Sequence, residues 1–246
     1  MENGTCKMDN YETLWNGIRM IQPEGGFRLG TDSVLLARFL TLPRRAKIAD
    51  LGSGCGTLGL LLCASHPDCA VTGVEIDERA HQLAQENIAA NGLQGRLSSV
   101  LGDVRAIRTL LPAGGFSCVI ANPPYFPVGS GRASRDSAAA RSEETLTLRE
   151  LCAAAAWLLP SGGRLALVQR PERLCDVFCA MREHGLEPKR IQFVRHSADR
   201  PVCLTLIEAR RGGKPGLTYL PDFCEFTSDG AETEAYRAAY HRGEQP

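Results

Sequence analysis

From about residue 32 onward, two rhythms of apolar and polar positions alternate along the chain. Helical spacing comes first, in DSVLLARFL (32–40), for which Thr31 or Asp32 is a natural N-cap. The run KIADLG (47–52), ending in glycine, predicts a strand, and TLGLLLCAS (57–65) a buried helix. AVTGVEI (70–76) predicts a second strand. DERAHQLAQENIAANG (77–92) predicts a helix with Asp77 as N-cap and Gly92 as its stop. LSSVLGD (97–103) and FSCVIAN (116–122) read as strands, the latter halted by Pro123 and Pro124. LTLRELCAAAAWLLP (146–160) reads as a helix, RLALVQR (164–170) as a fifth strand, and PERLCDVFCAMREHG (171–185) as a helix entered at a proline. RIQFVRH (190–196) and VCLTLIEAR (202–210) read as two last strands joined by a short loop.

Strands that alternate with helices imply right-handed crossovers and a parallel sheet covered on both faces. The link between the last two strands is too short for a crossover, so that pair must be antiparallel. The expected architecture is therefore α/β, a Rossmann-like, seven-stranded, mostly parallel sheet with an antiparallel C-terminal hairpin. With 246 residues the chain suits one such domain. Residues 46–212 form its body. Residues 1–45 precede the first clear strand and 213–246 extend beyond the last, with a helix or a frayed end expected after Gly230. The stretch 127–142, small, polar and arginine-bearing, reads as a long loop.

Charge alters this picture only locally. Basic and acidic residues balance at 28 each, yet Lys189 to Lys214 holds seven basic residues against two acidic, and Tyr219 to the end holds six acidic against two basic. Such an asymmetry suits an anionic partner docking on one face, or two solvated surface segments. The ten cysteines show no CxxC, and several sit in apolar runs (Cys63, Cys118, Cys203), which reads as small buried hydrophobes in a reducing compartment and argues against a metal site. The start is polar and carries acid, and no apolar run reaches membrane-span length, so a cytoplasmic location is expected.

The densest chemical signal is ADLGSGCGTLG (49–59), where Asp50 and then Gly52, Gly54 and Gly56 lead from a strand into a helix. Glycines at a strand end in an open α/β sheet let the backbone approach a ligand in the crevice. Gly54, Gly56 and Gly59 also satisfy the dinucleotide fingerprint, a weak pattern taken alone. A carboxylate at Asp50 favours S-adenosylmethionine, because it can meet the cationic methionine end and would repel a pyrophosphate. Glu75 can accept both ribose hydroxyls, a device shared with dinucleotide sites, and Asp103 is placed to meet the adenine amino group. Asn122-Pro123-Pro124-Tyr125 ends the fourth strand. An exocyclic amine conjugated with a ring is a poor nucleophile. Two acceptors aimed at its N–H bonds, the Asn122 side-chain oxygen and the Pro123 carbonyl, draw it toward tetrahedral geometry. Pro124 fixes that carbonyl and Tyr125 can stack on the base.

These motifs resemble those of the class I amino-methyltransferases that carry a D/N-P-P-Y/F motif, and more narrowly the bacterial tRNA (adenine-N6)-methyltransferases acting on valine tRNA next to the anticodon. The resemblance spans about residues 14–212 and rests on FRLGTDSVLLARFL (27–40), IADLGSGCGTLGLLL (48–62) and VIANPPYF (119–126). It implies that Arg28, Gly30, Thr31 and Asp32 line the cofactor or base pocket. It further implies that Arg132, Arg135 and Arg141, then His196 and Arg200 between the last strands, lie near RNA phosphates. Methylation of a protein glutamine amide or of guanine N2 in ribosomal RNA needs the same two acceptors, and a cofactor-binding RNA adaptor without turnover is a further alternative. The roughly 45 residues before the first strand are few for the partner-gripping domain that glutamine methyltransferases use.

Overall fold

The computed structural model describes residues 11–14, 17–21, 29–123 and 146–240. Its elements, in chain order, are β1 (Tyr11–Thr13), β2 (Arg19–Ile21), α1 (Thr31–Phe39), β3 (Lys47–Leu51), α2 (Thr57–Ser65), β4 (Ala70–Glu75), α3 (Glu78–Ala90), β5 (Leu97–Leu101), α4 (Ile107–Leu110) and β6 (Cys118–Ala121). The remainder are α5 (Leu148–Leu158), β7 (Arg164–Gln169), α6 (Leu174–Glu183), β8 (Leu186–Arg195), β9 (Val202–Arg211), β10 (Thr218–Tyr219), β11 (Phe223–Cys224) and α7 (Glu234–Ala239).

The seven anticipated strands form the body of one sheet in the order β5-β4-β3-β6-β7-β9-β8, with β9 alone running against its neighbours. Apolar layers cover both faces. α1, α2 and Ile88 of α3 pack on one; α5, α6 and Ile107 pack on the other. Strand order reverses between β3 and β6, and a crevice opens beyond the strand ends at such a switch point.

Local chemistry explains the helix boundaries. The Asp77 side chain accepts from Ala80 N and starts α3, and Thr147 and Glu150 form a reciprocal capping box on α5. Helix α1 departs from expectation. Gly30 occupies the N-cap with no side-chain cap bond, and Thr31 and Asp32 are already helical. The Asp32 carboxylate instead accepts from the next amide, Ser33 N, at 2.7 Å.

Two further features lay outside the sequence reading, and a helix stands where a helix or a frayed end was expected after Gly230. A small antiparallel hairpin, β1–β2, precedes α1. Asn87 on α3 and Asn91 at its C-cap tie it down, accepting from Ile21 N (2.7 Å) and Arg19 N (2.8 Å). Past residue 212 the chain adds β10 and β11 in parallel to the outer edge of β8, widening the sheet to nine strands. The segment then ends in α7, whose neighbour Tyr240 donates its hydroxyl to Thr31 Oγ1 at 3.1 Å, bringing the C-terminal segment back to the start of α1.

Candidate active site

Sheet register brings the sequence motifs to one level. Asp50 of β3 lies beside Gly73 of β4 and Ile120 of β6, and Glu75 lies beside Leu101 of β5. Counting two residues on from Asp50 and from Ile120, Gly52 and Asn122 emerge side by side from adjacent strands, with Glu75 flanking Gly52. The glycine loop and Asn122, nearly 70 residues apart in sequence, thus face one crevice.

The glycine loop is built to be narrow and open. Gly52 and Gly54 take φ of +75° and +55°, which L-residues with a side chain rarely adopt, and a Cβ on either would meet nothing within 4 Å. The empty space is where a ligand can lie against the backbone. Glu75 holds the loop, its two oxygens accepting from Gly54 N (2.7 Å) and Asp77 N (2.8 Å). Asn87, fully buried, donates to Cys55 O at 3.0 Å and to Ile21 O at 3.0 Å, fastening the loop to the N-terminal hairpin.

Asp50 lies below the loop, 1% exposed. Four buried side-chain atoms of the described residues lack a hydrogen-bond partner. Three of them cluster here: both Asp50 carboxylate oxygens and Ser53 Oγ. Burial, and secondarily the charge of Glu75, pushes the Asp50 carboxyl up to about 8. A buried carboxylate without a partner is costly, and a ligand cation is what would relieve it.

On the other flank, Ile76 and Leu101 are 49% and 45% exposed at the ends of adjacent strands, two of the three exposed large apolar side chains among the described residues. They stand near Glu75 and Asp103 in the chain, so apolar surface is exposed beside two acids at the crevice end of the sheet. Asp103 faces Arg105, which reaches it at 2.5 Å and holds its carboxyl below the usual range, chiefly through that hydrogen bond.

Asn122 is oriented from outside its own strand. Its side-chain nitrogen donates to Ser33 Oγ at 3.0 Å, which fixes the orientation of the amide. Ser33 is 2% exposed, and its own amide bonds to Asp32. The GTDS segment thus reaches the site through Ser33, while Thr31 meets Tyr240 and Asp32 caps within the turn. The sequence reading passed over Ser33, Asn87, Ile76 and Leu101. The apolar pair was legible, each residue standing at the end of its strand beside an acid. Ser33 and Asn87 carried no local signal.

Residues 26–181 match the family described as methyltransferase small domain. A tRNA1(Val) (adenine(37)-N6)-methyltransferase from Dickeya chrysanthemi is 34% identical over 189 residues, covering 76% of this chain and 74% of the relative. A protein of the same name from Photobacterium profundum is 30% identical, covering 74% of this chain and 77% of the relative. The chain belongs to this methyltransferase family. It is an S-adenosylmethionine-dependent N-methyltransferase. A structure described as a predicted O-methyltransferase from Agrobacterium tumefaciens has a TM-score of 0.71 at 22% identity, covering 87% of this chain and 98% of that one. Geranyl diphosphate methyltransferase in complex with its methyl donor gives 0.54 at 14%, covering 73% and 84%. These likenesses establish the class I fold.

In this methyltransferase the turn between β8 and β9 lies at the crevice end of the sheet, since β8 runs with β7. The basic and acidic segments meet there. Arg195 pairs with Asp222 at 2.6 Å, and His196 Nδ1 lies 3.0 Å from Glu225 with its ring 4.6 Å from that of Phe226. The acidic tail therefore partly neutralises the basic hairpin. Arg200 is exposed at the turn. Arg28, Pro124, Tyr125, Arg132, Arg135 and Arg141 lie outside the described residues. Among the described residues, no helix is long and apolar enough to cross a membrane and no metal-ligating cluster is present.

Proposed function

We propose that this methyltransferase transfers a methyl group to the exocyclic N6 of an adenine in RNA, at the position for which its relatives are named, adenine 37 of a valine tRNA. The observation that carries the reading is the Asn122 amide, anchored through its nitrogen by Ser33 and standing beside the glycine loop.

The residues present fit the methyl donor. Asp50, buried without a partner, would take the donor's ammonium group. Glu75 would accept from ribose hydroxyls while its backbone bonds keep it in place, and Ile76 and Leu101 would flank the adenine ring with Asp103 at its edge. Gly52, Gly54 and Gly56 let the backbone approach. Bound S-adenosylmethionine supplies a methyl group already activated on a sulfonium. The protein's task is to place and polarise the nucleophile. With its nitrogen on Ser33, Asn122 presents only an oxygen to N6, and the Pro123 carbonyl serves as a second acceptor. Both bonds strengthen as positive charge grows on N6, so they favour the transition state over the ground state. Holding the base in line with the methyl group supplies much of the remaining acceleration. In this reading Pro124 stiffens the turn and Tyr125 stacks on the base. Arg28, Gly30, Thr31 and Asp32 border the pocket, while Arg132, Arg135, Arg141, His196 and Arg200 serve the RNA backbone.

The test is methylation of unmodified tRNA with labelled donor, followed by nucleoside mass spectrometry and mapping. N6-methyladenosine at position 37 of valine tRNA is expected. Label in N2-methylguanosine, or in protein glutamine and not RNA, would overturn the reading.

A further inference from the structure

At the end of the sheet remote from the crevice, the turns before β7 and after β9 enclose an open cavity of about 500 Å³. Lys189, Arg210, Arg211 and Lys214 line it, together with Ser161 and glycine backbone. It is distinct from the candidate active site. Thr205 pairs with Gln169 at the crevice end of β9, whereas Arg210 pairs with Arg164 at the other, five residues or roughly 17 Å away along the strand.

Among the described residues, positive charge is in excess here. Six other arginines of the described residues (Arg105, Arg149, Arg173, Arg182, Arg190, Arg195) each pair with a carboxylate. None of the four cations of this cavity has an ion-pair partner among the described residues. Their protein contacts are to carbonyls: Lys189 Nζ to Lys214 O at 3.0 Å, Arg210 Nε to Gly162 O at 3.2 Å, and Arg211 to Leu159 O. Glu187, the nearest acid in the β8–β9 register, is engaged by Arg182 at 2.6 Å. Each guanidinium has five N–H donors, and Arg210 uses one. In a chain whose net charge is zero, four converging cations, with Glu187 opposite Arg210 already held by Arg182, leave a net positive field suited to phosphate. Farther along the same sheet edge, β10 presents Tyr219, 66% exposed, opposite Ile191 and with its ring 6.5 Å from that of Phe193. An exposed aromatic ring on the edge that carries these cations gives a nucleic-acid base a face to stack on.

We propose that this cavity is a second RNA-contact site, binding backbone phosphates of the tRNA well away from the nucleotide being methylated. The inference rests on tRNA being the substrate. It predicts that the enzyme recognises more of the molecule than its anticodon loop.

The experiment compares wild type with the triple variant Lys189→Gln/Arg210→Gln/Lys214→Gln. Binding of full-length tRNA and of an isolated anticodon stem-loop is measured by fluorescence anisotropy between 50 and 200 mM salt. For full-length tRNA the variant should show a log Kd against log salt slope shallower by about two to three, because each neutralised phosphate contributes roughly 0.7 to 0.9. Its affinity at low salt should fall at least about ten-fold, because fewer phosphates are neutralised and fewer counterions released. Stem-loop methylation and cofactor affinity should be unchanged, which also shows that the variant is folded. Lys214→Gln alone should reduce the slope by about one. An unchanged slope for tRNA, or equal loss on stem-loop and tRNA, would overturn the proposal. So would loss of inorganic tripolyphosphate binding while tRNA binding stays intact, which would make the cavity a small-anion site. Wild-type methylation of the same tRNA tests the functional reading separately. If wild type binds no tRNA, both fall.

Discussion

Replacing Asp50 by Asn removes one buried ionisable group from beneath the glycine loop and leaves its shape nearly intact. The folded protein holds the Asp50 proton up to about pH 8, because burial and then Glu75 disfavour the carboxylate. At pH 7, about nine-tenths of the ligand-free molecules carry that proton. Pairing with the ammonium group of the cofactor requires the ionised form, so binding should release about 0.9 proton at pH 7 and about 0.5 at pH 8. Calorimetry with S-adenosylhomocysteine in two buffers of different ionisation enthalpy reads this number directly. In Asp50→Asn the release should vanish, and affinity should fall about ten- to hundred-fold, the worth of a hydrogen bond to a charged group. The same shift sets the pH dependence of folding. Unfolded Asp50 titrates near 3.8 and the folded group near 8, so the folded state binds more protons between these values. The contribution of Asp50 to stability is then greatest below the lower pH, declines as pH rises, and levels off above about 8. The ligand-free wild type should therefore lose more melting temperature between pH 6 and 8 than Asp50→Asn does. A wild-type binding enthalpy independent of buffer, with an Asn variant that binds equally well, would refute the assignment.

Two other substitutions separate positioning from packing. Ser33→Ala removes the hydroxyl that receives the Asn122 amide at 3.0 Å; kcat should fall about ten-fold, the cost of one lost orienting hydrogen bond, with cofactor Kd unchanged and partial rescue by Ser33→Thr. Equal losses in kcat and cofactor affinity would mean that Ser33 serves the pocket as a whole. Gly52→Ala meets no atom within 4 Å but forces an alanine to φ +75°, so chemical denaturation should register about 1–2 kcal/mol. Cofactor affinity should fall by more than that cost predicts, since the methyl group enters ligand space; unchanged affinity would contradict the placement of the loop.

Much of the sheet was legible because its signals are local. The run 57–65 matches α2, Asp77 caps α3, and the short link between 196 and 202 required an antiparallel pair. Glycine and acid at the ends of β3 and β4 marked the crevice, since those residue types have few other uses at a buried strand end. Other features escaped because their cause is distant in sequence. Ser33 meets Asn122 across 89 residues, and Asn87 meets Ile21 across 66. The acidic tail, for which the sequence offered no partner within the chain, pairs with Arg195 and His196 from 27 and 29 residues away. Strands β10 and β11 are two residues each, too short for any periodicity to register. The α1 cap was misplaced because a glycine can begin a helix while the acid two residues on accepts from within the first turn.

The central claim is that Asn122 activates an adenine nitrogen. It is tested most directly by single-turnover methylation of valine tRNA by Asn122→Ala, alongside its affinity for S-adenosylhomocysteine. N6-methyladenosine formation should slow at least about a hundred-fold, the scale of removing one preorganised polar group from a transition state. Cofactor affinity should stay within a few-fold of wild type. Near-normal methylation by this variant would contradict the claim.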